Sequence, residues 1–173
     1  MKIYMVRHTA VEVPQGTCYG QTNVPLKETF EEEAAAVKKN LENINFDLVC
    51  SSPLSRCRKL AKLCGYGDVL EYHDRLKELH MGDWEMHMWD DLDMTIWKDD
   101  WINNPAPNGE SFAQMYRRVS SFFDELKEQT AGNVLIFTHG GVISCARVYF
   151  DRADIKKTFD LMPQYGEIVE FEY

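Results

Sequence analysis

The sequence predicts an α/β protein, a three-layer α/β/α sandwich around a mostly parallel central sheet. Short apolar runs rich in β-branched residues alternate with segments whose apolar residues recur at helical spacing, which is the pattern of successive β-α units. The run Asn133–Thr138 is apolar almost throughout, as a central parallel strand covered on both faces must be. The 173 residues are enough for a full core, so we expect one domain over 1–173.

The predicted elements alternate along the chain. Strands are expected at the apolar runs bounded by polar or turn residues, namely Lys2 up to Arg7-His8, Phe46–Ser51, Val69–Tyr72, Asn133–Thr138 and Glu167–Tyr173. Helices are expected where apolar residues repeat at helical spacing, namely Phe30 to about Asn43, Pro53 to about Cys64, Met86–Trp101, Phe112 to about Gln129 and Val142–Phe150. Thr29 with Glu32, and Ser111 with Gln114, have the spacing of capping boxes, and Ser52 before Pro53 resembles an N-cap. Thr9–Lys27 carries two prolines and two glycines and is expected to be a long loop.

Composition and charge exclude several classes of protein. The net charge of −9 argues against binding to nucleic acid or to an anionic membrane, both of which need a basic face. No apolar run approaches membrane-spanning length, and the first residues are too short a run for a signal peptide. The five cysteines are scattered without a CxxC pair, which favours reduced thiols over a zinc site or a disulfide scaffold. We therefore expect a cytoplasmic protein.

Cationic and imidazole side chains follow three of the predicted strands. Arg7 and His8 end the first strand, Arg56 lies in the first turn after the second, and His139 follows the fourth, before Gly140. The carboxyl ends of parallel strands meet at one edge of a sheet, so these groups can share one crevice. The glycines after His139 open a helix, whose free backbone N–H groups favour an anion. Two guanidiniums, two imidazoles and a helix N-terminus predict a site for a doubly charged phosphate.

These motifs resemble those of the histidine phosphatase superfamily, the phosphoglycerate mutase-like proteins, over nearly the whole chain. The similar stretches are Arg7-His8-Thr9, Ser51-Ser52-Pro53-Leu54-Ser55-Arg56, Leu76-Lys77-Glu78 with Gly82-Asp83-Trp84-Glu85, Gly109-Glu110-Ser111 and Thr138-His139-Gly140-Gly141. Five motifs in the family's order are highly specific. The resemblance implies the phosphoglycerate mutase-like fold and a phosphatase that uses no metal or cofactor.

The resemblance also assigns roles. His8 would be the nucleophile that forms a phosphohistidine, Arg7, Arg56 and His139 would hold the phosphoryl oxygens, and Glu78 would protonate the leaving alkoxide and then activate water. The expected substrate contacts are made by Arg7, Arg56, His139, Gly140, Thr9, Tyr19 and Gly20.

One loop is similar to that of a subgroup, the α-ribazole phosphatases, which remove a 5′-phosphate during assembly of the cobalamin nucleotide loop. The loop is Cys18–Leu26, in which Asn23 replaces the subgroup's usual aspartate. An apolar benzimidazole would be expected to stack on aromatic side chains, and Tyr19, Trp84 and Trp89 are candidates by position. The alternatives are a broad-specificity phosphatase, a phosphoglycerate mutase and a silent binder of phosphorylated ligands. The stretch between Glu78 and Gly109 has Lys98 as its only cation, which disfavours a mutase.

The remaining histidines and tryptophans are given structural interpretations. His73, His80 and His87 show no metal-ligand spacing, and His80 alone falls in the segment that carries the acid. Trp97 and Trp101 are four apart and share a helix face, which is typical of core packing and equally suits the surface of a homodimer.

Overall fold

A five-stranded sheet is the centre of the fold. The computed structural model describes residues 1–173. The strands are β1 (Lys2–Arg7), β2 (Leu48–Ser51), β3 (Leu70–Tyr72), β4 (Asn133–Thr138) and β5 (Ile168–Glu172). Their spatial order is β3-β2-β4-β1-β5; the first four are parallel to one another, and β5 is antiparallel to β1. The predicted mostly parallel sheet is therefore confirmed, with β4 between β1 and β2.

The chain forms five helices, four of which contribute buried residues to the two faces of the sheet. They are α1 (Phe30–Leu41), α2 (Ser55–Leu63), α3 (Thr95–Asp100), α4 (Phe112–Lys127) and α5 (Gly140–Phe150). Because side chains alternate along a strand, Tyr4 and Val6 of β1 pack in one core cluster with residues of α1 and α2. Ile3 and Met5 point the other way, into a larger cluster that contains residues of α4 and α5. Two apolar clusters separated by one sheet confirm the predicted α/β/α sandwich.

Local capping explains some of the helix boundaries. The predicted capping box of α4 is confirmed: the Ser111 side chain accepts a hydrogen bond from the Gln114 amide, and the Gln114 side chain accepts one from the Ser111 amide. The predicted capping box of α1 is wrong, because Thr29 Oγ1 donates to Glu33 Oε1 (2.6 Å) and caps no backbone group. The predicted start of α2 is also wrong, since α2 begins at Ser55 and Ser52 Oγ instead accepts from the Leu54 amide.

The stretch between Trp84 and Asn104 departs most from prediction. We expected one helix over Met86–Trp101, but the structure has a single 3-10 turn at Trp89–Asp91 and the short helix α3. Met86 has φ 67°, a left-handed conformation that no α-helix contains. The main-chain amides of Met86 and Trp89 bond to the carbonyls of Cys18 and Gly16. Pairing with the Thr9–Lys27 loop has therefore replaced local helical hydrogen bonds.

The parallel arrangement brings the polar strand ends together. Arg7 pairs with Thr138 in register, and Ser51 pairs with Phe137, so β1, β2 and β4 end at one edge. The turns that follow carry the predicted site residues. None of the helices is both long and apolar enough to cross a membrane.

Candidate active site

Arg7 and His8 leave β1 at the carboxyl edge of the sheet. His8 is 1% exposed, and its amide bonds to the Thr138 carbonyl, which locks it to the end of β4. Its Nδ1 lies 2.8 Å from the carbonyl oxygen of Thr9. A carbonyl can only accept, so Nδ1 carries the proton and Nε2 keeps a free lone pair. Burial, then the charge of Arg56, holds the pKa of His8 well below its usual value, so the imidazole is neutral at pH 7.

His139 lies at the start of α5, beside His8. The two rings are 5.3 Å apart between centroids, and His139 is fully buried. Its Nε2 is 2.8 Å from Ser52 Oγ, so the turn after β2 holds the ring. Burial, followed by the charge of Arg56, also depresses the pKa of His139 well below its usual value. Both predicted histidines are therefore together and uncharged in the folded protein.

Arg56 is a fully buried cation held by the loop that follows β1. Its Nη2 donates to the Gly20 carbonyl (2.7 Å) and its Nη1 to the Thr22 carbonyl (3.0 Å), whereas Nε has no partner and is shielded from solvent. Buried charged donors are costly unless they meet an acceptor. Arg7 Nε and Thr9 Oγ1 are likewise buried without a partner. Donors from three predicted site residues are thus available to the oxygens of an anion.

Glu78 meets the start of α5. Its Oε2 accepts from the Gly141 amide (3.2 Å), and its Oε1 from the Leu79 amide (2.9 Å). An added Cβ at Gly141 would collide with Glu78 Oε1, so the glycine allows this close approach. At Gly140, an added Cβ would collide with Met162 Sδ and lie 3.3 Å from Arg7 Nε. The two glycines therefore let the acid and the first arginine reach the helix N-terminus.

Two charged residues that the sequence analysis did not single out hold this arrangement in place. Arg118 of α4 pairs with Glu110 and donates to the carbonyl of Glu78 (2.9 Å). Glu85 accepts from the amides of Gln21, Thr22 and Met81 and so ties the Cys18–Leu26 loop to the segment that carries Glu78. Glu85 and Glu110 lie in two of the quoted motifs, but the contacts from Arg118 to Glu78 and from Glu85 to the Cys18–Leu26 loop join residues far apart in the chain.

A cavity of about 240 Å³ opens beside the predicted catalytic groups. Its lining includes Arg7, Glu78 and Gly141. Apolar side chains make up most of the remaining wall, including Tyr19, Trp89, Trp97, Phe112, Phe159 and Met162. Within this lining, Arg7 is the only cation and Glu78 the only anion. The lining therefore combines one cation and one acid with a mainly apolar wall suited to an aromatic group, and His8, Arg56 and His139 do not belong to it.

The structure distributes the predicted aromatic wall unevenly. Tyr19 and Trp89 line the cavity, as expected, together with Gly20. Trp84 does not line the cavity. It is 5% exposed and packs edge-on against Trp89 and Trp97, so it lies behind the side chains that form the wall. Trp97, which was assigned to packing, does pack against the larger core cluster and also contributes to the lining.

Three other side chains noted in the sequence can also be placed. Cys18 lies in the cavity wall, where burial and then the charge of Glu85 raise its pKa to about 12, so it is a neutral thiol at pH 7. His80 bonds through its backbone to Glu110. His73 lies with Cys50 and Glu71 in a group whose ligand atoms are within 4.8 Å of one another, and none of the three is a predicted site residue.

Comparison with known proteins gives a consistent result. The family model of the histidine phosphatase superfamily (branch 1) matches residues 3–173. The adenosylcobalamin/alpha-ribazole phosphatase of Salmonella typhimurium is 34% identical over 154 residues, which are 83% of this chain and 76% of that protein. The alpha-ribazole phosphatase from Shigella flexneri superposes with a TM-score of 0.89 at 28% identity, covering 98% of this chain and 89% of that one. A phosphoglycerate mutase from Thermus thermophilus superposes with a TM-score of 0.77 at 26% identity, covering 98% and 92%.

Proposed function

This chain belongs to the histidine phosphatase superfamily, and we propose that it hydrolyses a phosphomonoester through a phosphohistidine at His8. The observation that carries the proposal is the contact between His8 Nδ1 and the Thr9 carbonyl (2.8 Å). That contact leaves the Nε2 lone pair free, and the depressed pKa of His8 keeps it unprotonated at pH 7. A neutral, oriented imidazole is the form that can attack phosphorus.

In the first half-reaction, His8 Nε2 attacks phosphorus and the bond between phosphorus and the ester oxygen breaks. Arg7, Arg56 and His139 surround the phosphoryl oxygens. The two arginines offset their charge and the neutral His139 holds them by hydrogen bonding, and such stabilisation is the main contribution that a protein makes to phosphoryl transfer. Glu78 gives its proton to the departing alkoxide. The products are the free alcohol and phosphohistidine.

In the second half-reaction, water attacks the phosphorus of the phosphohistidine and the P–N bond breaks. Glu78, now ionised, takes a proton from that water, so the carboxyl group returns to its starting state. Inorganic phosphate leaves, and His8 is regenerated. The Gly141 amide, which donates to Glu78 Oε2, keeps the carboxyl group at the site in both steps.

The substrate that we propose is α-ribazole 5′-phosphate, hydrolysed to α-ribazole in assembly of the cobalamin nucleotide loop. Its benzimidazole is a flat apolar group, and the cavity beside Glu78 is lined mainly by aromatic and thioether side chains. Relatives from Salmonella typhimurium and Shigella flexneri carry the alpha-ribazole phosphatase name. The Cys18–Leu26 loop, through which the sequence resembles that subgroup, supplies Tyr19 and Gly20 to the cavity.

The charges of the cavity disfavour a mutase. A bisphosphate or a phosphoglycerate would bring a second anionic group, whereas Arg7 is the only cation that lines the cavity. An unpaired anion against an apolar wall loses its hydration without compensation. The mainly apolar wall therefore supports an uncharged leaving group.

Location and assembly remain predictions of the same proposal. All five cysteines are free and buried, which suits the reducing interior of a cell, and we keep the cytoplasm as the expected compartment. The net charge of −9 still argues against nucleic acid or an anionic membrane as a partner. The homodimer raised by the sequence stays a prediction, to be measured by light scattering.

The proposed function is tested by measuring phosphate release from α-ribazole 5′-phosphate, sugar phosphates, phosphoglycerates and phosphoserine in the presence of a chelator. The blank is the H8A variant. We expect kcat/KM for α-ribazole 5′-phosphate to exceed that for the others by a hundredfold or more, about 2.7 kcal/mol of transition-state binding.

Each other outcome points to a different alternative. Equal activity across the panel would mean a broad-specificity phosphatase and would reject the cobalamin substrate. Movement of phosphate within phosphoglycerate, without release, would mean a mutase. Tight binding without turnover of any ester would mean a silent binder of phosphorylated ligands.

A further inference from the structure

Tyr165, in the connection between α5 and β5, makes three contacts at the predicted catalytic groups. The guanidinium of Arg7 stacks over its ring at 4.1 Å from the centroid. The same ring lies 5.6 Å from the ring of His8. Its hydroxyl is hydrogen-bonded to the hydroxyl of Tyr19 at 2.8 Å. We propose that Tyr165 is a positioning residue that holds Arg7 in the geometry needed for phosphate; this inference rests on the proposed function.

Arg7 needs such a support. A long arginine side chain loses rotamer entropy when it is fixed, so a guanidinium held in advance binds an anion more tightly than a mobile one. The neighbourhood of Arg7 fixes it on two sides, because Nη1 donates to the Pro163 carbonyl while Tyr165 stacks against the plane. Its Nε is buried and has no partner, so a donor remains free while the rest of the group is held.

The contact with Tyr19 extends the support to the second arginine. The guanidinium of Arg56 lies over the Tyr19 ring at 5.4 Å from the centroid. Each of the two arginines is therefore stacked on a tyrosine, and the two tyrosines are joined through their hydroxyls. Burial holds the pKa of Tyr19 above its usual value, so its phenol is uncharged at pH 7 and the bridge is a neutral hydrogen bond. The bridge spans the 17–22 loop and the 163–166 segment above His8.

A role in the hydrophobic core would not explain this placement. The Tyr165 side chain is substantially exposed, at 40%, so its ring contributes little to the buried core. Its ordered contacts are with Arg7, His8 and Tyr19. Loss of the ring should therefore change anion binding far more than it changes stability.

The test measures equilibrium binding of orthovanadate, an oxyanion analogue of phosphate, by calorimetric titration. We expect Y165L to weaken binding about tenfold, equivalent to about 1.4 kcal/mol, because it removes the stacked ring. Y165F keeps the ring and loses only the hydroxyl, so we expect it to restore most of the affinity. Y72L is the matched control, since Tyr72 stacks on Arg58 at 5.4 Å on the edge strand β3, and we expect it to bind as the wild type does.

A double-mutant cycle tests whether Tyr165 acts through Arg7. We expect R7K with Y165L to bind orthovanadate no more weakly than R7K alone. The proposal would be overturned by wild-type affinity in Y165L, by equal losses in Y165L and Y165F, or by additive losses in the cycle. It would also be overturned if the wild type bound no orthovanadate. Failure of the proposed function is recognised separately, because it appears as absent ester hydrolysis by a wild type that still binds the anion.

Discussion

Replacing Gly141 with alanine tests whether Glu78 must sit where the structure has it. The added Cβ would overlap Glu78 Oε1 and lie 3.2 Å from the flexible end of the Met115 side chain and 3.3 Å from Glu78 Cδ, so the carboxyl group must move by roughly 1 Å to restore ordinary van der Waals separation. Gly141 lies in α5 with an ordinary helical backbone, where alanine is preferred over glycine by about 1 kcal/mol. Stability should therefore be kept while the acid is displaced.

The expected loss follows from the proposed chemistry. A displacement of this size can cost about a hundredfold in rate, or about 2.7 kcal/mol. Because kcat/KM reports the steps up to formation of the phosphohistidine, it isolates protonation of the leaving group. We expect G141A to lose about a hundredfold in kcat/KM on α-ribazole 5′-phosphate. On p-nitrophenyl phosphate, whose leaving group needs little protonation, the loss should be below about tenfold.

The assay compares both substrates in G141A and in a matched variant, G67A. An added Cβ at Gly67 would meet only the flexible side chain and backbone of Lys62 at 3.3 Å or more, so G67A should behave as the wild type. Thermal unfolding checks that both variants are folded. Equal losses of G141A on the two substrates, or no loss on either, would refute the assignment of Glu78 as the acid.

Three further predictions follow from other parts of the structure. His8 and His139 have depressed pKa values, so below about pH 6.5 each takes up a proton on unfolding, and the free energy of unfolding falls by about 1.4 kcal/mol per pH unit per group. Above about pH 6.5 this loss is absent. Denaturant titrations should show a shallower dependence of the unfolding free energy on pH in an H8N, H139N variant. F159S removes an aromatic side chain of the cavity lining, whose ring lies 4.7 Å from that of Trp101, and should lower kcat/KM on α-ribazole 5′-phosphate about tenfold. An equal loss on glycerol phosphate would contradict a role of Phe159 in binding the base. S111A removes a capping box and should lower the free energy of unfolding, measured by chemical denaturation, by about 1 kcal/mol. T29A, at a position that caps no backbone group, should lower it by less than half of that, and equal losses would contradict this assignment of the caps.

Most elements of the fold could be predicted from the sequence because their signals are local. The apolar run Asn133–Thr138 and the box formed by Ser111 and Gln114 are each specified by neighbouring residues. The meeting of Arg7, Arg56 and His139 could also be predicted, since parallel strands end at one edge of a sheet. The segment Met86–Trp101 could not, because its backbone pairs with a loop far away in the sequence, and tertiary hydrogen bonds outweighed its helical spacing.

The sequence by itself determined which residues make up the predicted site, because the motifs and the strand ends already contain His8, Glu78 and His139. Only the tertiary structure decided how those residues are held. Arg118 reaches the Glu78 carbonyl from α4, and Tyr165 reaches Arg7 from the other end of the chain. Such contacts depend on how distant elements pack, and no local pattern specifies them. The shape of the cavity was decided in the same way, because its wall joins the loop after β1, the α3 region and the connection that follows α5.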